Sequence, residues 1–442
     1  MKIFPALFNF KKKKYPLIVP QGRHGMSRGD IEFNALDIMS RLRRFGHPTY
    51  LVGGCVRDIL LGKTPKDFDI VTGARPQQIK RLFRRCFLIG RRFRLAHVYV
   101  SHDRFIEVAT FRARVDPDEV PEGGRFAENN VYGTIDDDAL RRDFTVNALY
   151  YNGADGSIVD YCGGLEDLNK RILRSIGQPI ARFREDPVRI IRAARFCAQL
   201  GFNLSKQDLK AAVASAPLIK EANGHRLLEE LYKILRCGSS ADTLLNLKCY
   251  GILSHWLPDL APEKYHDRVI ARLKAVDRRR LKGDEIPTSV LLASLLYDLF
   301  EEAMGPRRGF QEAFEALNRQ FNEMTARLRI PRREWDAISN MTARLAGFTR
   351  IPDGKKGKAY EKRFLHNVHF RNSLMFFEIV AEATGEHGEA LRYWQRRAAE
   401  LPARKEPAGG EGAEPAAGGR RKRPRRRRGP RGGAHTEPAQ PA

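Results

Sequence analysis

Two aspartates separated by one residue, Asp67 and Asp69, share a segment with the adjacent glycines Gly53 and Gly54. Alternate side chains of a strand project to one face, so both carboxylates reach the same side, roughly 6.5–7 Å apart at the backbone. Carboxylate oxygens suit Mg²⁺, which normally also takes phosphate oxygens from a substrate. A turn without side chains lets phosphates approach backbone N–H groups at the start of the next helix. The pattern indicates a site for a metal-bound nucleoside triphosphate.

Each of these features also has a simpler interpretation. A glycine pair is most often only a turn, and a D-x-D pair is commonly a solvated strand face. Their combination with a short intervening helix, which carries Arg57 and Asp58, favours the nucleotide site. Glu107, in the segment FIEVATF, is a candidate third carboxylate from a neighbouring strand, and an exposed strand acid is an equally good interpretation of it.

The elements that must position these residues alternate between helix and strand up to about residue 165. Apolar residues at helical spacing from Ile31 predict a first helix that ends near Gly46. The next segments predict a strand TYLV, a helix CVRDILL, a strand DFDIVT, a helix RPQQIKRLF and a hairpin of AHVYV with FIEVATF. Beyond Arg184 the pattern predicts long helices and no strand before about residue 400. We therefore expect an α+β fold, with a mixed-sheet head followed by an all-helical neck and body.

The composition is strongly basic, with a formal net charge of +26 over 442 residues. Such an excess indicates a polyanionic partner, either nucleic acid or an anionic membrane surface. Six scattered cysteines without C-x-x-C spacing argue against a zinc site or a disulfide framework and favour a reducing compartment. The longest apolar run, VLLASLLYDLF, is too short to span a bilayer, and no signal peptide is predicted. We therefore expect a soluble, cytoplasmic protein.

An ordered set of motifs resembles the class II nucleotidyltransferases, which comprise bacterial poly(A) polymerases and tRNA CCA-adding enzymes. The motifs are LVGGCVRDILLG, KDFDIV, RRDFTVNALYY, YCGGLEDL and REDPVRIIRAARF, and the resemblance as a whole covers about residues 31–240. The resemblance implies an α+β head with helical neck and body regions that grip RNA. It also implies that Asp67 and Asp69 hold the catalytic metals and that Asp143 is an active-site residue. The residues that it implies for the nucleotide's sugar and phosphates are Gly53, Gly54, Arg57, Arg141 and Arg142.

The E-D-x-x-R motif, formed by Glu185, Asp186 and Arg189, has two interpretations. Asp186 followed by Pro187 is typical of a helix start, and the charges up to Arg192 are also typical of a solvated helix face. The resemblance implies instead that Glu185, Asp186, Arg189 and Arg192 face the incoming base. A carboxylate and an arginine complement the amino donor beside a ring-nitrogen acceptor that adenine and cytosine share. The motif therefore favours A or C over G or U and does not separate A from C.

The choice of branch within the family rests on two further stretches. The segment LIGRRFRLAHVYV and the Arg-rich end resemble poly(A) polymerases more than CCA-adding enzymes. The resemblance implies Mg²⁺-dependent, template-independent polyadenylation of RNA 3′ ends from ATP, with Asp67 and Asp69 as metal ligands. Glu107 is a further candidate metal ligand from the sequence pattern alone. The alternatives are a tRNA CCA- or A-adding enzyme and a non-catalytic RNA-binding protein, although the intact D-x-D pair argues against the last. The predicted RNA-binding positions are Arg91, Arg92, Arg94, Arg425, Arg426, Arg427 and Arg428.

We expect five regions along the chain. They are a flexible basic N-terminus at 1–30, a catalytic head at 31–170, a helical neck for base and RNA binding at 171–240, a helical RNA-binding body at 241–402 and a disordered Arg-rich tail at 403–442. The expected partners are RNA 3′ ends, ATP as substrate and RNA-decay proteins, with Mg²⁺ as the cofactor. We expect a monomer without a transmembrane segment.

The basic tail generates a prediction about RNA affinity. Residues 420–431 hold nine basic side chains, which should bind phosphates without reading sequence and release counterions. Truncation after about residue 402 should therefore raise the KM for RNA, flatten its dependence on salt and leave the KM for ATP nearly unchanged. Steady-state kinetics at several salt concentrations would check this expectation. Identical RNA affinity and an identical salt slope for both proteins would mean that the tail does not bind RNA.

Overall fold

The computed structural model describes residues 15–90, 94–113, 132–304, 312, 315 and 328–401. Residues Met1–Ala398 form one unit, which contains all the elements given below except the last residue of the final helix. The strands are Leu17–Val19 (β1), Thr49–Val52 (β2), Ile70–Thr72 (β3), Cys86–Ile89 (β4), Leu95–Tyr99 (β5), Phe105–Thr110 (β6), Leu149–Asn152 (β7), Ile158–Asp160 (β8), Ile172–Leu173 (β9) and Asn203–Leu204 (β10).

Within these residues, eight strands form one mixed sheet in the order β1-β8-β7-β2-β3-β6-β5-β4. Strands β3 and β6 pair in parallel, with Ile70 opposite Val108, and the other neighbouring pairs are antiparallel. A second, two-stranded sheet pairs β9 with β10 in parallel. The parallel pair places the segment before β3 beside β6 in the middle of the large sheet.

The helices fall into a head group and a longer C-terminal group. The head helices are Phe33–Arg44 (α1), Gly54–Leu60 (α2), Pro76–Leu82 (α3), Ile135–Leu140 (α4) and Gly164–Lys170 (α5). The later helices are Pro179–Glu185 (α6), Val188–Leu200 (α7), Lys206–Ser215 (α8), Gly224–Arg236 (α9), Ser240–Cys249 (α10), Leu253–Trp256 (α11), His266–Leu281 (α12), Thr288–Met304 (α13), Arg332–Phe348 (α14), Gly354–Leu365 (α15), Phe370–Thr384 (α16) and Gly388–Ala399 (α17).

The two faces of the large sheet differ in how they are covered. Alternate residues of β5 and β6, such as Ala96 and Val108, are buried, and helices α1 and α3 pack against the sheet. On the opposite face, Ala139 of α4 packs with Val52, Val71 and residues of β7 and β8. The same face is more exposed at β4, β5 and β6. The sheet is therefore closed on one side and partly open on the other.

Helix α5 braces the turn that follows α4 in the chain. A Cβ atom on Gly164 would stand 2.3 Å from the carbonyl oxygen of Thr145, so only glycine allows this close approach. The Thr145 hydroxyl also donates a hydrogen bond of 2.7 Å to Asp167 on the same helix. The segment from Asp143 to Asn147, which contributes to the site described below, is therefore held against α5.

Most elements expected from the sequence are present, and the α+β fold with a helical remainder is confirmed. Helices α1, α2 and α3, strand β2 and the β5–β6 hairpin match their predicted segments. Strand β3 begins only at Ile70, so the prediction that Asp67 and Asp69 lie within it is wrong, because the chain pairs regularly with β2 only from Ile70 onward. The prediction of no strand after Arg184 is also wrong, because β10 pairs with β9.

The prediction of a flexible N-terminus is wrong for residues 15–30, the part of it that the structure describes. Strand β1 pairs with β8, with Leu17 opposite Asp160, and a 3₁₀ helix covers Arg28–Asp30. Val19 is buried, so this segment gains both backbone hydrogen bonds and apolar contact from the sheet. The tail at 403–442 lies outside the described residues. The described helices include none with the length and apolar character that a bilayer crossing requires.

Candidate nucleotide and metal site

The acidic residues of the site meet where β3 and β6 run side by side. Asp69, just before β3, and Glu107, on β6, each precede a residue of the parallel pair Ile70 and Val108, so the two residues are neighbours. Burial, the charge of Glu107 and that of Asp67 together raise the pKa of Asp69 to about 6, against the opposing effect of Arg142. Burial and the charge of Asp67 also raise the pKa of Glu107. Asp67 and Glu107 therefore lie close enough to Asp69 to disfavour its ionisation.

This donor set fits a hard divalent cation. Such an ion prefers carboxylate oxygens, and its positive charge would relieve the repulsion that raises these pKa values. In the part of the chain that the structure describes, no group of three His, Cys, Asp or Glu side chains has already converged to metal-ligand spacing. Glu107 also lies 3.4 Å from the Nε2 atom of His97. Metal ligation by Asp67, Asp69 and Glu107 therefore stays a prediction, and Glu107 has a competing partner.

The glycine pair leaves open the space beside these carboxylates. Gly53 has φ +81° and ψ −133°, a conformation that suits glycine, and it directly precedes α2. A Cβ atom there would stand 3.5 Å from Nη1 of Arg142 and 3.9 Å from Oδ2 of Asp69. A cavity of about 250 Å³ adjoins this point and is lined by Asp69, Glu107, Arg141 and Arg142, among others. An acidic edge and a basic edge thus face one space, the arrangement that a metal-bound phosphate chain requires.

Two arginines of the R-R-D motif form the basic edge. The carboxylate of buried Asp138 accepts hydrogen bonds from Arg142 at 3.0 and 3.1 Å, from Arg141 at 3.2 Å and from the Tyr150 hydroxyl at 2.9 Å. Although burial opposes ionisation, the charges of Arg142 and Arg141 hold the pKa of Asp138 below its usual value. The sequence analysis missed Asp138. It could have been predicted from its position three residues before Arg141 and four before Arg142, a spacing at which side chains meet on a helix.

Arg57 is not among the residues that line this cavity. Its guanidinium is buried, pairs with Asp58 at 2.7 Å and donates a hydrogen bond of 2.6 Å to Oδ1 of Asn147. The Nδ2 atom of the same Asn147 donates to Asp143 at 3.1 Å. Arg57 thus fixes the turn that carries Asp143, and its contact with a triphosphate stays a prediction.

Asp143 faces helix α7. Its Oδ2 atom accepts hydrogen bonds from Arg192 at 2.7 and 3.0 Å, and its Oδ1 atom accepts one from the Phe144 N–H at 2.8 Å. Although burial opposes ionisation, Arg192 and these hydrogen bonds lower the pKa of Asp143 to about 2. Arg192 also lies 3.5 Å from the buried carboxylate of Glu230. The structure therefore brings these two predicted site residues together as a link between the head and the neck, and their predicted contacts with the nucleotide stay predictions.

The E-D-x-x-R motif forms a connected charged group at the start of α7. Arg189 donates to both carboxylate oxygens of Glu185, at 2.9 and 3.2 Å. Asp186 accepts two hydrogen bonds from Arg226 of α9, at 2.7 and 2.8 Å, and one of 3.3 Å from the Val188 N–H. The helix-start interpretation therefore applies to Asp186, while the half-exposed Glu185 pairs with the largely buried side chain of Arg189.

Arg182, which the sequence analysis missed, joins this group to the basic edge. Its buried guanidinium donates hydrogen bonds of 2.6 and 2.7 Å to the carbonyl oxygens of Arg141 and Arg142. It also donates one of 2.6 Å to Glu185. No local motif marks Arg182, because its acceptors are backbone atoms about forty residues earlier in the chain.

The predicted RNA-binding arginines are only partly covered by the structure. Arg94 is exposed immediately before β5. Arg91, Arg92 and the tail positions Arg425, Arg426, Arg427 and Arg428 lie outside the described residues, so their role stays a prediction.

Comparison with known proteins places this architecture in one enzyme class. Residues 49–174 match the family model of the Poly A polymerase head domain, and residues 201–264 match that of the probable RNA and SrmB-binding site of polymerase A. Among solved structures, the CCA-adding enzyme of Bacillus stearothermophilus in complex with CTP is similar, with a TM-score of 0.62 and 27% identity over 86% of this chain and 84% of that one. The fold is that of a nucleotidyltransferase.

Sequence relatives show to which family of nucleotidyltransferases the chain belongs. Poly(A) polymerase I of Salmonella typhimurium is 36% identical over 93% of this chain and 92% of its own length. The CCA-adding enzyme of Geobacillus thermodenitrificans is 39% identical, but over only 51% of this chain and 55% of its own. The chain belongs to the poly(A) polymerase family of nucleotidyltransferases.

The Asp143–Arg192 pair generates a prediction about pH and stability. The folded-state pKa of about 2 lies below the ordinary aspartate value, so the pair stabilises the fold above about pH 4 and loses that effect between about pH 4 and pH 2. Asp143→Asn should therefore lower the free energy of unfolding by about 2 kcal/mol at neutral pH. Urea unfolding of both proteins should show this difference shrinking as the pH falls through that window. A difference that stays constant down to pH 2 would mean that the charge of Asp143 is not what stabilises the fold.

Proposed function

We propose that this enzyme transfers AMP from ATP to the 3′-hydroxyl of RNA with release of pyrophosphate, and that it uses Mg²⁺. One observation carries the proposal: Asp69 and Glu107 face Arg141 and Arg142 across a cavity beside Gly53. Family membership supports the reaction class. Relatives named poly(A) polymerase I match along nearly the whole chain, which favours RNA tailing with adenylate.

The acidic edge of the cavity would bind the metal, and the basic edge would orient the triphosphate. Asp67 and Asp69 would hold the metal, with Glu107 as a further candidate, and the bound metal would neutralise charge on the phosphates and aid departure of pyrophosphate. Arg141 and Arg142 would orient the triphosphate, because Asp138 fixes their guanidinium groups toward the cavity. Gly53 leaves room for the phosphates. Rate acceleration would come from positioning and charge neutralisation.

Base selection is proposed for the charged group at the start of α7. A carboxylate accepts from the amino group of adenine or cytosine, and an arginine donates to the neighbouring ring nitrogen. Glu185 and Arg189 supply these two groups and already hold each other in place. Guanine and uracil present a carbonyl and an N–H at the same positions, so they would be rejected.

A second candidate function is tRNA CCA addition, which the fold similarity favours. The Bacillus stearothermophilus enzyme covers most of this chain in three dimensions. Against it stands the sequence similarity to CCA-adding enzymes, which covers only about half of the chain. Cytoplasmic location, a monomeric state and cooperation with RNA-decay proteins remain predictions from the sequence.

Replacement of Asp69, one of the acidic residues that line the cavity, tests its proposed role as a metal ligand. Asp69→Asn keeps the side chain's shape but removes charge that a cation needs, so AMP incorporation should fall by about three orders of magnitude or more. RNA binding should barely change, because the basic surface is untouched. Radiolabelled AMP transfer and RNA binding, each measured in Mg²⁺, would give the two readouts. Asp103→Asn, in the exposed turn between β5 and β6, is the matched control. Near-normal turnover by Asp69→Asn would contradict the assignment.

Nucleotide selection tests the reaction itself. Each of the four triphosphates would be supplied singly and together, on an unstructured RNA and on tRNA lacking its CCA end. We expect extended A tails on the unstructured RNA, weak CTP use and poor GTP and UTP use. Addition of two C and one A to tRNA, followed by a stop, would instead establish CCA addition. Efficient UTP use would contradict both functions.

The same assay examines the base-reading group. Arg189→Ala should reduce the preference for ATP more than it weakens triphosphate binding, because Arg189 lies away from the Asp69–Arg142 cavity lining. Arg184→Ala provides a matched control, since Arg184 is an exposed arginine in the preceding helix α6. Unchanged selectivity in Arg189→Ala would remove this residue from the proposed base-reading group.

A further inference from the structure

Two exposed aromatic side chains and one half-buried one lie together on the open face of the sheet, at its β4 edge. Phe87 of β4 is 59% exposed and Phe105 of β6 is 38% exposed, while Tyr99 of β5 is half-buried between them. The rings of Phe87 and Tyr99 meet edge to face with centroids 5.5 Å apart, and Tyr99 lies 5.5 Å from Phe105. Phe105 stacks on His97 at 4.0 Å. The rings form a continuous surface, which we call the aromatic platform (Phe87, His97, Tyr99 and Phe105).

The aromatic platform runs directly into the acidic edge of the site. Strand register places Phe87 opposite His97 and His97 opposite Glu107, and Glu107 neighbours Asp69. These four residues therefore form one row across four adjacent strands. Three strand spacings amount to about 14 Å from Asp69 to Phe87. A stacked single strand covers that length in roughly four nucleotides.

Exposed arginines flank the aromatic platform at the strand ends. Arg84 and Arg85 precede β4 and Arg94 precedes β5, and all three are exposed. Arg104, which precedes β6, instead pairs with Glu32 at the start of α1. The backbone carbonyl of Arg85 accepts a hydrogen bond of 2.9 Å from the Tyr99 N–H, which fixes this arginine beside the rings. Aromatic faces bordered by cationic side chains are the combination that binds single-stranded nucleic acid, through base stacking and phosphate attraction.

We propose that the aromatic platform binds the last few nucleotides of the RNA primer by base stacking and leads its 3′ end to Asp69. This inference rests on the proposed function, for which it names the primer site. The proposal explains why apolar rings stay exposed next to the carboxylates. Those carboxylates repel RNA phosphates, and base stacking on the rings supplies an attraction that offsets this repulsion. It also predicts little sequence preference in the primer, because every base has a face that can stack.

Single-stranded RNA fits this surface better than a protein partner. The row ends at the catalytic carboxylates, where the primer's 3′-hydroxyl must arrive for AMP transfer, so the surface is continuous with the candidate site. The arginines at the strand ends complement phosphates. A second copy of this chain would bring the same arginines and meet like charge.

Substitution of Phe87 tests the inference. Phe87→Leu keeps an apolar side chain but removes the ring face, and the exposed position makes unfolding an implausible cause of its effect. We expect the KM and the Kd for a single-stranded oligoadenylate to rise about tenfold, with the KM for ATP unchanged. Phe87→Trp should bind as well as the unaltered enzyme. Phe45→Leu, an exposed aromatic at the end of α1, is the matched control and should change nothing.

A primer with altered bases identifies stacking as the cause. Removal of the bases from the nucleotides just upstream of the 3′ end should weaken binding to the unaltered enzyme about tenfold. The same primer should lose little further affinity for Phe87→Leu, because the partner ring is already gone. If base removal weakened the binding of Phe87→Leu by the same factor as that of the unaltered enzyme, stacking on Phe87 would be contradicted.

The outcomes separate this inference from the proposed function. Equal Kd values for Phe87→Leu and the unaltered enzyme, measured by fluorescence anisotropy without ATP, would overturn the inference whether or not AMP is transferred. Loss of a dimer in Phe87→Leu with unchanged RNA affinity would assign the surface to a second copy and also overturn it. Failure of the unaltered enzyme to extend any RNA, with normal RNA binding that depends on Phe87, would overturn the proposed function and leave the binding site supported.

Discussion

The cavity proposed as the nucleotide site depends on one ion pair, between Asp143 of the head and Arg192 of the neck. Both side chains are largely shielded from water, and Asp143 accepts two hydrogen bonds from the guanidinium. Removal of either partner would leave a charge in a poorly solvated position, which is costly. Asp143 also accepts from Asn147, and Asn147 accepts from Arg57, so the pair orders the turn behind Gly53 and the start of α2. The geometry of the cavity therefore depends on contact with the neck.

Arg182 extends the same dependence to base selection. Its Nη2 atom donates hydrogen bonds to the carbonyl oxygens of Arg141 and Arg142, and its Nη1 atom donates one to Glu185. The residues proposed to orient the triphosphate and those proposed to face the base thus share one buried guanidinium. A shift of the neck would move both groups, so discrimination between bases and catalytic rate should change together. Asp186, which lies just before α7, is held in turn by Arg226 of α9.

The sequence alone predicted the parts of this site that have local signatures. Gly53, Asp69 and the R-R-D arginines stand at fixed spacing beside strong strand and helix patterns, and the structure brings them to one cavity. The pairing of Asp143 with Arg192 could not be predicted, because Arg192 lies 49 residues away in another region. Arg182 was missed for the same reason, since a bond to a distant backbone carbonyl leaves no pattern in the sequence. Strand β1 was missed because three residues are too few for a clear periodicity, and its pairing with β8 stabilises it.

If the head and the neck form one nucleotide site through Asp143 and Arg192, these two side chains act as a unit. A double-mutant cycle on kcat/KM for ATP, with Asp143→Asn, Arg192→Gln and the double variant, measures the coupling between them. We expect each single change to lower kcat/KM strongly and the double variant to be little worse than the less active single variant. A double variant that loses the product of both single losses would show that the two residues act independently.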